Sequence, residues 1–469
     1  MPMSITQEYA EYCTSLRYDD LPADVIEHAK HLVLDTVGIV IGSDEFAESS
    51  DSFLQAAREM NQEGSGATVL ATGEQMKTEQ AALVNGSFAH SLDYDDTHRG
   101  SSLHPGAPVI SAALAAGERT DASGTELLTA IVGGYDVVCR IGMAVNPSSH
   151  YDCGFHMTAT CGLFGATAAV GMVLGLTADE LEAAFGVNGS QAAGSLQFLE
   201  NGGWNKRFHP GLAAHSALVS IALARNDFFA ASEPIEGDRG FLYGYSDAPH
   251  PEKATAGLGD EYELLNTGIK PYPCCRYMHN AMDLLLELAE SEDVDADSVN
   301  AVTVRIPETG IGIVGHPTNR YPQSFVDAQF NMAFGAALCL CRREATIDAF
   351  LDGIEGGVDE ELKRIIDATT VTTVDWIEDA FPEKWVAAVE IETSDATYTE
   401  RSEYPRGAPE DPLSWEEIVA KYEELTEPVV GAEAASAVRR RVEDLESTSV
   451  SELLQPLANA EATAANADD

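Results

Sequence analysis

Three short stretches carry most of the side chains able to do chemistry near neutral pH. Residues 85–109 (NGSFAHSLDYDDTHRGSSLHPGAPV) set His90, His98 and His104, Arg99, and Asp93, Asp95 and Asp96 between two alanine-rich segments that read as buried. Residues 202–215 (GGWNKRFHPGLAAH) add Lys206, Arg207 and His209, and residues 270–280 (KPYPCCRYMHN) add Lys270, Cys274, Cys275, Arg276 and His279. Burying an ionisable group costs free energy unless it is paired, so the three stretches are read together as one site assembled from distant parts of the chain. Histidine supplies general acid/base catalysis near pH 7. A charge run is often only a solvated face. Here two of the chain's eight lysines fall in the marked stretches, beside arginine and histidine. That favours a pocket for an anion with several carboxylates, where arginine binds as a bidentate fork and lysine as a point charge.

His104-Pro105-Gly106 ends the first stretch and opens a buried helix. A histidine at a helix N-terminus has its neutral, basic form favoured. His156 stands in the same position before an apolar segment. The aspartates at 93–96 lack the glycine and the spaced oxygen ligands of a hard-metal loop, and Asp95 and Asp96 are read as orienting histidine and lysine. Cys274, Cys275 and His279 could be three zinc ligands, but no fourth lies nearby and adjacent cysteines pair poorly on zinc. No metal or other cofactor is expected. An iron–sulfur cluster has no CxxC support, and without a Walker A or GxGxxG motif nucleotide binding has no positive signal.

The elements that must position these groups are mostly helical. Apolar spacing predicts helices over 21–41, 53–60, 78–92, 108–119 and 211–230, and capping boxes at Ser123/Glu126 and Thr177/Glu180 open two more. Residues 157–177 carry no charge over roughly a membrane-spanning length, but their Gly, Ala and Thr content and lack of basic or aromatic flanks read as a core helix. The character changes near residue 265: 300–307 alternate as a strand, 385–400 read as a hairpin turning at Ser394-Asp395, and helices at 326–340, 346–351 and 359–366 lie between. After Pro412 the chain is helical again over 415–425 and 432–445. The expected architecture is mainly α with an α+β second domain: an all-helical domain over 1–265, an α+β domain over 266–408, returning helices over 409–457, and a frayed acidic tail over 458–469.

Composition bounds the partners. The 469 residues include 77 acidic and 27 basic side chains, a formal charge of −50. Such a charge repels nucleic acid and anionic membranes. With lysine so scarce it suits a protein adapted to high salt, where about 1 M salt cuts the Debye length to about 3 Å. The N-terminus lacks the basic and apolar regions of a signal peptide, so reduced thiols and a cytoplasmic location are expected for the eight cysteines.

The combination HSLDYDDTH…HP, GFH before a small-residue helix, KRFHPGLAAH and KPYPCCRYMH resembles the MmgE/PrpD family over about residues 21–340. That family includes 2-methylcitrate dehydratase, cis-aconitate decarboxylase and iminodisuccinate epimerase. The resemblance implies a large helical domain with an inserted α+β lid domain, a site between them, a homodimer, and metal-free chemistry on small polycarboxylates. It assigns catalysis to Asp93, Thr97, His104, His156, Lys206 and Lys270, and substrate contacts to His98, Arg207, Cys275, Arg276 and His279. Two positions depart from the decarboxylase pattern: Cys275 stands for a histidine, and Pro317 of HPTNRYP for a tyrosine. These departures favour dehydration of a 2-hydroxy polycarboxylate such as 2-methylcitrate, with epimerisation of a small dicarboxylate as the alternative. In this reading His104 and His156 include the base and its acid partner, Lys206, Lys270 and Arg276 clamp the substrate, and Asp93 and Thr97 orient the histidines or bond a substrate carboxyl.

Overall fold

The computed structural model describes residues 3–61, 64–200 and 202–465, with side chains up to residue 458. The chain divides into two compact units, one of Met1–Gly268 with Ser414–Asp469 and one of Ile269–Leu413. As the sequence predicts, it is mainly helical with an α+β portion.

In the first unit the Gly124–Val145 helix packs on Gly162–Val173, and Ala23–Phe46 packs on the returning Trp415–Glu443 helix. That last helix is broken at Gly431, whose φ of 79° is left-handed, which separates the two segments expected from the sequence. Gly124–Val145 alone among the described helices is long and apolar enough to cross a membrane, and 94% of its most apolar window is buried, as in a core helix. The uncharged run at 157–177 is not one helix: it divides at Cys161 into Met157–Thr160 and Gly162–Val173, both buried.

Two helices matter most for function. Thr78–Ala89 ends at His90, and Asn205–Ala224 begins one residue before Lys206. They cross at glycines. A Cβ on Gly211 would lie 2.2 Å from both the Leu83 carbonyl and Ser87 Oγ, and one on Gly86 would lie 2.9 Å from Gly211 Cα. Any side chain at either position would push the two helices apart.

The second helix starts six residues earlier than its sequence suggests. Pro210, a helix breaker in an interior, lies in its second turn, where the helix accommodates it. The KRFH motif is therefore helical rather than a loop, and this decides which way its side chains point.

The second unit is built on a four-stranded sheet ordered Thr369–Thr372, Val299–Arg305, Ala387–Thr393, Thr397–Ser402. The hairpin turns at residues 394–396 with Ala387 opposite Ser402, close to where the sequence places it. Thr369–Thr372 pairs in parallel with Val299–Arg305 and was not foreseen, because its TTVT sequence has no apolar alternation. The Arg276–Ser291 and Met332–Cys341 helices pack together, and Glu360–Ala368 lies on the latter. The chain's last helix, Val450–Ala465, runs past the point where a frayed tail was expected, and residues 466–469 of that tail lie outside the described residues.

Candidate active site

The loop after Thr78–Ala89 is tied down at each of four consecutive residues. Asp93, held in the left-handed region at φ 50°, accepts from the Lys206 ammonium. The Tyr94 carbonyl accepts from Lys421 Nζ at 2.9 Å, and the same ammonium lies 3.7 Å from the Tyr94 ring centroid and 2.6 Å from Asp35 Oδ1. Asp95 faces two histidines. Asp96 accepts from the Gly106 amide at 3.0 Å and from the Tyr135 hydroxyl at 2.7 Å.

Asp95 is the centre of the group. Its Oδ2 lies 2.6 Å from His90 Nδ1, and its Oδ1 lies 3.4 Å from His104 Nδ1, a looser contact. The ring centroids of His90 and His104 are 4.7 Å apart, and those of His90 and His156 are 5.7 Å apart in a stacked arrangement. His156 Nδ1 in turn lies 3.1 Å from His209 Nδ1. Four histidines from three parts of the chain therefore form a continuous array. The His104 side chain, 15% exposed, is the open end, whereas the His90 side chain is fully covered.

The electrostatics of the array follow from burial and neighbours. Burial alone would raise the Asp95 carboxyl, but His104 and His90 hold it well below the usual carboxylate range. Burial lowers His90 to about 4 despite the raising effect of Asp95. Burial and then the Lys206 charge lower His209 to about 4. His156 is pushed well down by burial, then by His90, His209 and Lys206. These three histidines are neutral at pH 7. A carboxylate is an acceptor only, so Asp95 holds the Nδ1 proton of His90 through Oδ2, while its Oδ1 faces His104 Nδ1 at 3.4 Å without a hydrogen bond, an orientation that turns His104 Nε2 away from the carboxylate. Asp96 behaves oppositely: burial raises it to about 8, against the lowering effect of Tyr135, so it is protonated and structural at pH 7.

Not every residue marked in the sequence joins this array. Lys206 and His209 do, since helical spacing of three puts them on one face. Arg207 turns away: its Nη1 donates to Ser49 Oγ at 3.0 Å. His98 is held outside the array. Its ring nitrogens lie 2.7 Å from Ser101 Oγ and 3.2 Å from Glu263 Oε2, in a buried network that continues to Arg140 at 3.5 Å, which leaves neither nitrogen for a substrate. Thr97 is half-buried in a short strand, Thr97–His98, paired with Thr267–Gly268. Lys270, Cys275, Arg276 and His279 belong to the second unit, where Arg276 Nη1 lies 3.2 Å from His279 Nδ1 and donates to the Arg406 carbonyl at 3.0 Å. His279 Nε2 lies 3.1 Å from the Cys274 carbonyl. His90 and His209 join the group although the sequence singles them out only as members of charged stretches.

Among the described residues, one cluster has the composition of a metal-ligand set: His90, Asp95 and His104, with ligand atoms within 4.8 Å of one another.

Comparison with known proteins agrees with the motifs. Residues 7–254 match the MmgE/PrpD N-terminal domain and residues 272–447 the MmgE/PrpD C-terminal domain. The chain is 28% identical to a cis-aconitate decarboxylase-like protein of Aspergillus oryzae, over 96% of each chain. It is 27% identical to a cis-aconitate decarboxylase of Aspergillus terreus, covering 97% of this chain and 96% of the relative. With the human cis-aconitate decarboxylase it shares 23% identity over 96% of this chain and 94% of the relative.

Proposed function

The chain belongs to the MmgE/PrpD family, and on that premise we propose that it is a lyase that dehydrates a small 2-hydroxy polycarboxylate of the 2-methylcitrate type by acid/base chemistry. The observation that carries this reading is the Asp95 carboxylate shared by His90 and His104, with His104 at the open end of the array. In the reaction, His104 Nε2 takes the proton from the carbon next to a carboxylate, the carbon–carbon double bond forms as the neighbouring carbon–oxygen bond breaks, and the protonated His104 passes that proton to the departing hydroxyl, which leaves as water. Negative charge builds on the carboxylate beside the carbanionic carbon and needs a fixed cation. Lys206, held on Asp93, supplies one.

A second reading has a specific observation behind it, since the relatives compared above carry the name cis-aconitate decarboxylase. Against it stand Cys275 and Pro317, where the decarboxylase pattern has histidine and tyrosine. One experiment separates the readings. The purified protein is incubated in molar KCl with EDTA and deuterated buffer, separately with 2-methylcitrate, citrate, cis-aconitate and iminodisuccinate, and followed by NMR. Conversion of 2-methylcitrate to an unsaturated acid is expected. Loss of carbon dioxide from cis-aconitate would establish the decarboxylase instead, and inversion or deuterium uptake without elimination would establish an epimerase.

A further inference from the structure

The Nδ1 atoms of His156 and His209 are 3.1 Å apart, their ring centroids 5.2 Å, and Phe198 packs edge-on against both rings. At that distance one proton lies between the two nitrogens: two would clash, and none would set lone pair against lone pair. One ring therefore donates to the other, and the direction decides what His156 offers at its remaining nitrogen. If His156 donates, its Nε2 is a bare lone pair. If His156 accepts, its Nε2 carries the proton and becomes a hydrogen-bond donor.

We propose that His209 is a positioning residue that donates its Nδ1 proton to His156 and so sets His156 as an Nε2–H donor, the opposite tautomer to that of His104. This rests on the elimination reading above, which needs a donor at the departing hydroxyl as well as a base at the carbon. Asp95 commits His90 to a bare Nε2, which is buried with no hydrogen-bond partner among the described residues, and its other oxygen faces His104 Nδ1 at 3.4 Å, which favours the same tautomer in His104 as the base of the elimination reading. A third bare nitrogen would leave the array with acceptors only. The groups acting on the pair are Lys206, three residues before His209 on the same helix, and His90 and His104 from the first stretch. His156 is neutral among them and acts as an uncharged electrophile, donating a hydrogen bond without giving up its proton. The two site histidines then differ in role because their Nδ1 partners differ, a carboxylate for one and an imidazole for the other.

Two measurements test this. Long-range proton–nitrogen correlation spectra of the substrate-free protein labelled with 15N-histidine report the tautomer of each ring, with signals assigned by their loss in His104→Gln and His156→Gln. The expected result is Nδ1–H for His104 and Nε2–H for His156. Nδ1–H at His156 overturns the proposal, whatever the substrate proves to be, so its failure is distinct from that of the elimination reading. The second measurement compares His209→Gln, whose amide can still donate to His156, with His209→Glu, whose carboxylate can only accept. His209→Gln is expected to keep kcat within about tenfold, and His209→Glu to lose about 10² to 10³ in kcat, the usual cost of one transition-state donor, with KM less affected. Equal kcat in the two variants overturns the proposal. Should His209→Glu fail to fold, the wild-type spectra and His209→Gln still decide.

Discussion

Oδ1 of Asp95 lies 3.4 Å from Nδ1 of His104. The carboxylate can only accept, so a proton on the facing Nδ1 is favoured over one on Nε2, which is left as the base. Asparagine in its place can turn its amide toward Nδ1 and reverse that tautomer. Asp95→Asn is expected to lower kcat by about 10² or more with little change in KM. Steady-state kinetics on the accepted substrate check this, and a near-normal rate would remove His104 from the role of oriented base.

Lys206 and Asp93 form the ion pair nearest the array. If Lys206 holds a substrate carboxylate, Lys206→Met should raise KM by about tenfold or more, the order of one charge-assisted contact. An unchanged KM with an altered kcat would instead make the lysine a purely electrostatic neighbour of the histidines.

Lys421 reaches the active-site loop from the returning helix and is 2.6 Å from the buried Asp35. Lys421→Met leaves the Asp35 carboxylate buried without this ammonium, which costs about 3–5 kcal/mol. Chemical denaturation should show that loss, and the double variant Asp35→Leu/Lys421→Met should recover much of it. Equal losses in the single and double variants would mean that packing, not charge, dominates there.

Stability should fall on acidification. Burial lowers His28, His90, His150 and His209 to about 4, and it pushes His156 well down too. Between about 4 and the unfolded value near 6.5 the unfolded chain binds these protons and the folded chain does not, so stability rises with pH through that window. Asp96, raised to about 8 by burial, and Asp136, raised to about 6 by burial, act in the opposite sense. Five histidines outweigh these two carboxyls, so the urea midpoint at pH 5 should lie below that at pH 6.5 at constant salt. From pH 6.5 to 8 Asp96 alone of these groups still titrates, and stability should decline slightly, a decline that Asp96→Asn should abolish.

Much of the fold was legible because helices announce themselves locally. The capping boxes at Ser123 and Thr177 are present as their spacing implies, and apolar periodicity placed Ala23–Phe46 and the hairpin of Ala387–Thr393 with Thr397–Ser402. The failures have local causes too. Pro210 hid the true start of its helix, and the polar TTVT strand draws its stability from a parallel partner far away in sequence.

The candidate site divides the same way. By itself, the sequence determined which chemistry the chain holds in reserve: histidine, lysine and aspartate in family motifs between buried segments. Only the tertiary structure decided which histidines act together. His98 and His104 look alike in sequence, yet one is held by Ser101 and Glu263 while the other faces Asp95 at the open end of an array. His209 enters because two helices meet at Gly86 and Gly211. Hydrogen-bond partners set the tautomer and hence the role of an imidazole, and those partners come from chain segments that spacing along the sequence does not bring together.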